Sequence, residues 1–424
     1  MRLVSFGIVS GRSKLFTKGR SSGNFVSKGF TWDRNEIPLS HDYYYRERDV
    51  LDSSTATAFR SVIRFNAMAD SLAPFSCSFT REVPDILRHL NCSLALTTYQ
   101  AGKVLFLSPD GESVTQLARN FDRPMGLAVD EGRIAVATKA EVVVMANAPS
   151  LMAGYPNKPG HYDALFVPRA TYYTGTVDLH DMVWQGETLW AVNTIFSCLC
   201  HIDARRSFTP VWQPTFVSAL APEDRCHLNG LVMHEGQPLY VTALGATDAP
   251  KAWRDDRLGG GVIVHVPTGE VVLSGLPMPH SPRMYDSELY FTLAATGEFC
   301  RADPEAGTYE VINKVPGFAR GVARLGDYIF IGHSRIRKKH LFGDLPLADS
   351  PHHAGVIALH LPSGNVAGAL RYHTSCEEIY DVHVLEGVRR PGILGVMDNT
   401  HHRAVVTPET GYWARPAEEV EGLS

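Results

Sequence analysis

One short pattern recurs along most of this chain. A strand starts at a polar residue, a turn with Gly and acidic residues follows, and a second strand of alternating apolar residues returns. The first copy is Pro124-Met125-Gly126-Leu127-Ala128-Val129, with Ile134-Ala135-Val136-Ala137 behind it. Later copies begin at Leu179-His180-Asp181, Leu228-Asn229-Gly230-Leu231, His280-Ser281-Pro282-Arg283, Arg320-Gly321-Val322 and Tyr380-Asp381-Val382. Set on their turns, the strand starts are Met125, His180, Asn229, His280, Arg320 and Asp381, with spacings of 55, 49, 51, 40 and 61 residues. A strand-only period of roughly 40–60 residues implies an all-β chain folded as a β-propeller, with four antiparallel strands to a blade. One strand pair cannot bury its own apolar face, so neighbouring blades must stack to make a core. The runs at 94–99, 103–107 and 114–117 precede the first copy and read as outer strands of one more blade. About 350 residues at roughly 50 per blade then favour seven blades over six. A β-sandwich pair or a β-helix would need shorter repeats or longer strands.

Composition narrows the setting. Of 424 residues, 44% are apolar and 20% charged, which excludes a chain disordered throughout. Net charge is −5, and no basic face is concentrated enough for nucleic acid. No apolar run reaches the ~18 residues of a membrane span. Seven cysteines, an odd number, point away from a disulfide scaffold and toward a reducing, cytoplasmic setting. Residues 1–70 differ from the rest: Arg2, Arg12, Lys14, Lys18, Arg20 and Lys28 precede the first acid, Asp33, among many serines. That composition fits an organelle transit peptide or a disordered basic tail, with Met68 as an alternative start. The expected organisation is an extension over 1–70 and a single propeller over 71–424.

In a propeller the inner strands start around a central channel, so equivalent starts converge on one mouth. Five of the six starts here are polar. His180, Asn229 and His280, with His227 beside them, could hold a divalent metal. Imidazole with a carboxylate suits Zn, Fe, Mn or Cu. Asp381 would be a ligand or general base, and Arg320 a clamp on a substrate carboxylate with Arg283 beside it. A metal-free ligand pocket and a hydrogen-bonded channel plug are the two other readings of the same ring. Cys198 and Cys200 lack a second pair for zinc and read as core residues.

The strings Thr98-Tyr99-Gln100-Ala101-Gly102, Arg123-Pro124-Met125-Gly126-Leu127, Cys226-His227-Leu228-Asn229-Gly230-Leu231 and Met278-Pro279-His280-Ser281-Pro282-Arg283 resemble an uncharacterised bacterial family of hypothetical propeller-like proteins. The resemblance covers roughly 85–415 and implies fold rather than activity. Leu228-Asn229-Gly230-Leu231 also resembles the Asn-Gly strand start of gluconolactonase and senescence-marker propellers. That likeness implies a metal-ligand role for Asn229 and, by position in the blade, a ligand or base role for Asp381. Two functions follow. One is a metal-dependent lyase, hydrolase or oxidoreductase acting on a small polar or anionic molecule at the mouth. The other is a binding module whose rim loops, 146–176 and 334–355, hold a protein or peptide.

Overall fold

The computed structural model describes residues 72–156, 158–336 and 342–415. The extension over 1–70 and part of the basic run at 334–340 lie outside the described residues. Six antiparallel sheets of four strands surround a channel among the described residues, so the chain is a six-bladed propeller. The inner strands are Leu127–Asp130, Leu179–Gln185, Leu228–His234, Pro279–Tyr285, Phe318–Leu325 and Asp381–Glu386. We number the blades 1 to 6 in that order; each inner strand contacts the next, and blade 6 returns to blade 1.

The seven-blade expectation is corrected by how the ring closes. Strands Cys92–Thr98, Lys103–Asp110 and Ser113–Asn120 are not a separate blade. They pair with Asp381–Glu386, the last inner strand, in the register Thr97↔Asp381 to Cys92↔Glu386. The two ends of the propeller thus share blade 6, which ties the ring shut through backbone hydrogen bonds. Further chain ends add edge strands. Cys77–Phe79 pairs with the outer strand of blade 5, and Pro391–Ile393 lies parallel to the outer strand of blade 1.

The core is divided as the stacking argument requires, because alternating strand residues face both neighbouring blades. Each of the six blade interfaces encloses its own apolar cluster, such as Phe106, Leu127, Ile134 and Val143 between blades 6 and 1. All seven cysteines are buried, and none of them forms a disulfide. Burial pushes the Cys226 thiol up to about 12, so it stays protonated beside the channel.

A finer order appears at the inner strands. Asp181, Ser281 and Asp381 on blades 2, 4 and 6 each accept a hydrogen bond from the backbone N–H of the next blade, at Leu231, Gly321 and Leu127. Thr194, Thr292 and Thr97 on the same blades each donate to a carbonyl of that next blade, at Leu228, Ala319 and Met125. The ring is therefore three copies of a two-blade unit, with equivalent residues at His180, His280 and Tyr380. In the alternate blades Gly126, Gly230 and Gly321 sit against the following inner strand. A Cβ on Gly230 would lie 2.2 Å from Pro282 Cδ and 2.6 Å from Thr242 Oγ1. Gly230→Ala is expected to cost about 1–3 kcal/mol or more by overpacking, read as a lower denaturant midpoint.

Candidate ligand site at the channel mouth

The three aligned starts put two imidazoles and a phenol around the mouth. His180 and Tyr380 meet edge to face with ring centres 5.5 Å apart. His227 joins from the loop before blade 3, its ring 4.9 Å from that of His180. Arg320 leans in from blade 5, with its guanidinium 4.7 Å over the Tyr380 ring and Nη2 3.2 Å from His280 Nε2. The sequence-predicted His180, His227, His280 and Arg320 are thus brought together. Tyr380 was missed, because the last copy was aligned on Asp381, one residue too far along.

Each imidazole is oriented through Nδ1. His180 Nδ1 donates to Thr194 Oγ1 at 2.7 Å and the Asp178 carbonyl at 3.0 Å, and His280 Nδ1 to the Met278 carbonyl at 3.0 Å. His227 Nδ1 donates to Asp224 Oδ1 at 2.9 Å, and Trp253 Nε1 donates to the other oxygen, Oδ2, at 3.0 Å. A carbonyl or carboxylate accepts only, so the proton is assigned to Nδ1 and Nε2 carries the lone pair. Burial, with the neighbouring His227 and Arg320 charges, holds the His180 pKa well below the usual imidazole range. Burial and Arg320 do the same for His280. Both rings are neutral at neutral pH. Burial also raises the Tyr380 phenol, which stays protonated.

The other expected residues serve the channel. Asn229 is buried: Nδ2 donates to the Pro279 carbonyl at 3.0 Å, and Oδ1 accepts from Thr242 Oγ1 at 2.6 Å. Its ligand atoms are used inside the sheet. Arg283, three residues beyond His280 on the same strand, bonds Asp181 Oδ2 at 2.8 Å and lies 3.8 Å from Asp381 Oδ1. His383 Nε2 is 3.3 Å from Asp381 Oδ2. Two carboxylates share one guanidinium there. Burial pushes the Asp181 carboxyl up, against Arg283. At Asp381 burial also works upward, but His383, Arg283 and the Leu127 N–H outweigh it and hold the carboxyl below its usual range. Asp381 and Arg283 therefore belong to an ionic plug in the channel.

Among the described residues, no group of three or more His, Cys, Asp or Glu side chains is arranged to hold a metal. Two contacts explain this for the expected set. Arg320 brings positive charge to the lone pair of His280, and Asn229 is already bonded through both side-chain atoms.

An apolar cap stands beside the mouth. Trp253, from a loop of blade 3, packs with Met278, Phe318, Ile336, Leu345 and Leu347. The described part of loop 334–355 thus turns its apolar side chains inward. In loop 146–176, Tyr155 meets Tyr162 and Trp413 edge to face. A cavity of about 50 Å³ remains against Arg320, walled by Tyr99, Phe318, Phe342, Arg335 and Glu378. His180, His227 and Arg320 keep partial exposure, whereas His280 and Tyr380 are buried.

These features define a six-bladed propeller with a cationic, imidazole-lined mouth at one end of a plugged channel. The chain belongs to the family described as Domain of unknown function (DUF4915), whose model matches residues 81–394. No curated protein matches it. Among solved structures it is similar to a chain of a crystal structure of a Nidogen/Laminin complex, at 12% identity and a TM-score of 0.45, over 70% of this chain and 99% of that one. It is also similar to a protein of unknown function from Bacteroides caccae, at 8% identity and a TM-score of 0.44, over 69% of this chain and 98% of that one.

Proposed function

We propose that the channel mouth binds a small carboxylate, with Arg320 as its charge partner. One observation carries this reading. The Arg320 Nε–H and the Tyr380 hydroxyl are both buried without a hydrogen-bond partner among the described residues, on side chains that touch each other. A buried donor left unpaired costs about 1–3 kcal/mol, so the pair favours an occupant rich in acceptors. A carboxylate brings two acceptor oxygens and the charge that a guanidinium matches. The small cavity beside Arg320 limits the occupant to few heavy atoms.

The divalent metal expected from the sequence has no part in this reading, because Arg320 faces the His280 nitrogen where the ion would sit. A partner-binding rim has less support, since the cap loop spends its apolar residues inward.

Pyruvate titrated into the protein by calorimetry is the test. Arg320→Met is expected to weaken binding by more than tenfold, and Arg320→Lys by less, since lysine keeps the charge but loses the fork. Unchanged affinity in Arg320→Met would overturn the reading. So would a stoichiometric metal that is lost on His180→Ala.

A further inference from the structure

We propose that His227 is a general base at this mouth, positioned by Asp224, and that it moves the proton on the carbon beside the carbonyl of a small 2-oxo acid. The inference rests on the carboxylate reading above.

Three observations at His227 bear on this role. The first is the relay of contacts behind the ring. Trp253 Nε1 and His227 Nδ1 bind the two oxygens of one buried carboxylate, Asp224, at 3.0 and 2.9 Å. Such a partner fixes the tautomer, leaves the Nε2 lone pair forward and stabilises the imidazolium that forms when the base takes a proton. His180 has the Asp178 carbonyl and the Thr194 hydroxyl behind it, and His280 the Met278 carbonyl, so neither is backed by a carboxylate. The second is backbone conformation. Asp224 and His227 both stand at φ 51°, in the left-handed region, as do Asp178 at 49° and Met278 at 57° behind the other two imidazoles; each such residue costs about 1–3 kcal/mol unless its surroundings hold it. The third is placement. His227 comes from the loop before blade 3 and Arg320 from blade 5, on the two sides of blade 4, which carries His280. His227 keeps partial exposure while its carboxylate is sealed. His227 thus stands beside His180, its ring 4.9 Å from that imidazole, while Arg320 stands against His280 with Nη2 3.2 Å from Nε2.

The step balances within these groups. His227 Nε2 takes a proton from the methyl carbon of pyruvate. The C–H electron pair becomes the new carbon–carbon double bond, and the carbonyl pair moves onto oxygen. Arg320 and the Tyr380 hydroxyl supply donors for the enolate. Return of a proton from the imidazolium to carbon restores both partners, and in D₂O that proton is a deuteron.

The experiment follows loss of the pyruvate methyl signal by proton NMR in D₂O. Wild-type protein is expected to speed exchange by about 10²-fold over buffer, the usual lower range of general-base catalysis. His227→Asn, whose side chain tolerates the left-handed backbone, is expected to return the rate to that of buffer while calorimetry finds pyruvate still bound. Asp224→Asn is expected to slow exchange and shift its pH profile, which loss of packing alone would not do. Wild type that binds pyruvate without speeding exchange overturns the inference and leaves the carboxylate site standing. Exchange in His227→Asn as fast as in wild type does the same. Unchanged pyruvate affinity in Arg320→Met removes the site and the inference together.

Discussion

Arg283→Met is expected to lower the stability of the propeller by about 3–5 kcal/mol, the usual cost of removing one partner from a buried ion pair. The guanidinium bonds Asp181 Oδ2 at 2.8 Å and lies 3.8 Å from Asp381 Oδ1, and both carboxylates are about 95% buried. Each acid also accepts from the backbone of the next blade, Asp181 from Leu231 and Asp381 from Leu127. Losing Arg283 therefore leaves Asp181 without its cation and Asp381 with His383 alone, and the two acids also join four blades in two pairs. Burial disfavours the Arg283 charge, yet Asp181 and Asp381 raise its pKa above the ordinary value, so the cation is present at any pH where the protein folds. Urea unfolding checks the size of the loss. The double variant Arg283→Met, Asp381→Asn removes one of those negative charges and should recover part of the stability. If the double variant is weaker by the sum of the two single losses, the charge account is wrong, because coupled sites should deviate from additivity.

The repeat was legible in the sequence because the strand starts carry polar residues between apolar runs. His180, Asn229, His280 and Arg320 could be found from that pattern alone. Two errors had one source. Aligning each copy by itself hid the two-blade unit, in which His180, His280 and Tyr380 stand exactly 100 residues apart. Aligned in pairs, the copies would have given Tyr380 in place of Asp381, and would have put Asp381 with Asp181 and Ser281 on the step that bonds the next blade. The closing strand was hidden for a different reason. Pairing of Asp381–Glu386 with Cys92–Thr98 joins segments nearly 300 residues apart, and no local spacing reports such a contact. The Asp224–His227 pair was half visible: His227 was noted, but an aspartate three residues earlier in a polar loop carries no signal until the backbone turns it inward. Asn229 misled because a strand-start asparagine looks the same whether it faces the channel or, as here, bonds Pro279 and Thr242.

Acid should unfold this protein early. Three histidines, His280 and His333 buried and His180 partly exposed, are held neutral. Burial with neighbouring His227 and Arg320 lowers His180, burial and Arg320 lower His280, and burial takes His333 down to about 3. The reason is plain at His333: Nδ1 donates to the His353 carbonyl at 2.8 Å, while Nε2 is buried with no partner, so a second proton would meet no acceptor. In the unfolded chain each ring titrates near about 6.5. Below that value the unfolded state binds more protons than the folded one, so stability falls as pH drops. His333 then costs about 1.4 kcal/mol per pH unit until its folded pKa is reached, or about 2 kcal/mol at pH 5, and His180 and His280 act in the same direction. Urea midpoints measured from pH 7.5 to 5 should be flat above about 7 and fall steeply below 6.5. His333→Gln can still donate to the His353 carbonyl but cannot titrate, so it should make that slope shallower. A midpoint that holds level to pH 5, or a slope untouched by His333→Gln, would show that these rings do not enter the fold as neutral, protected groups.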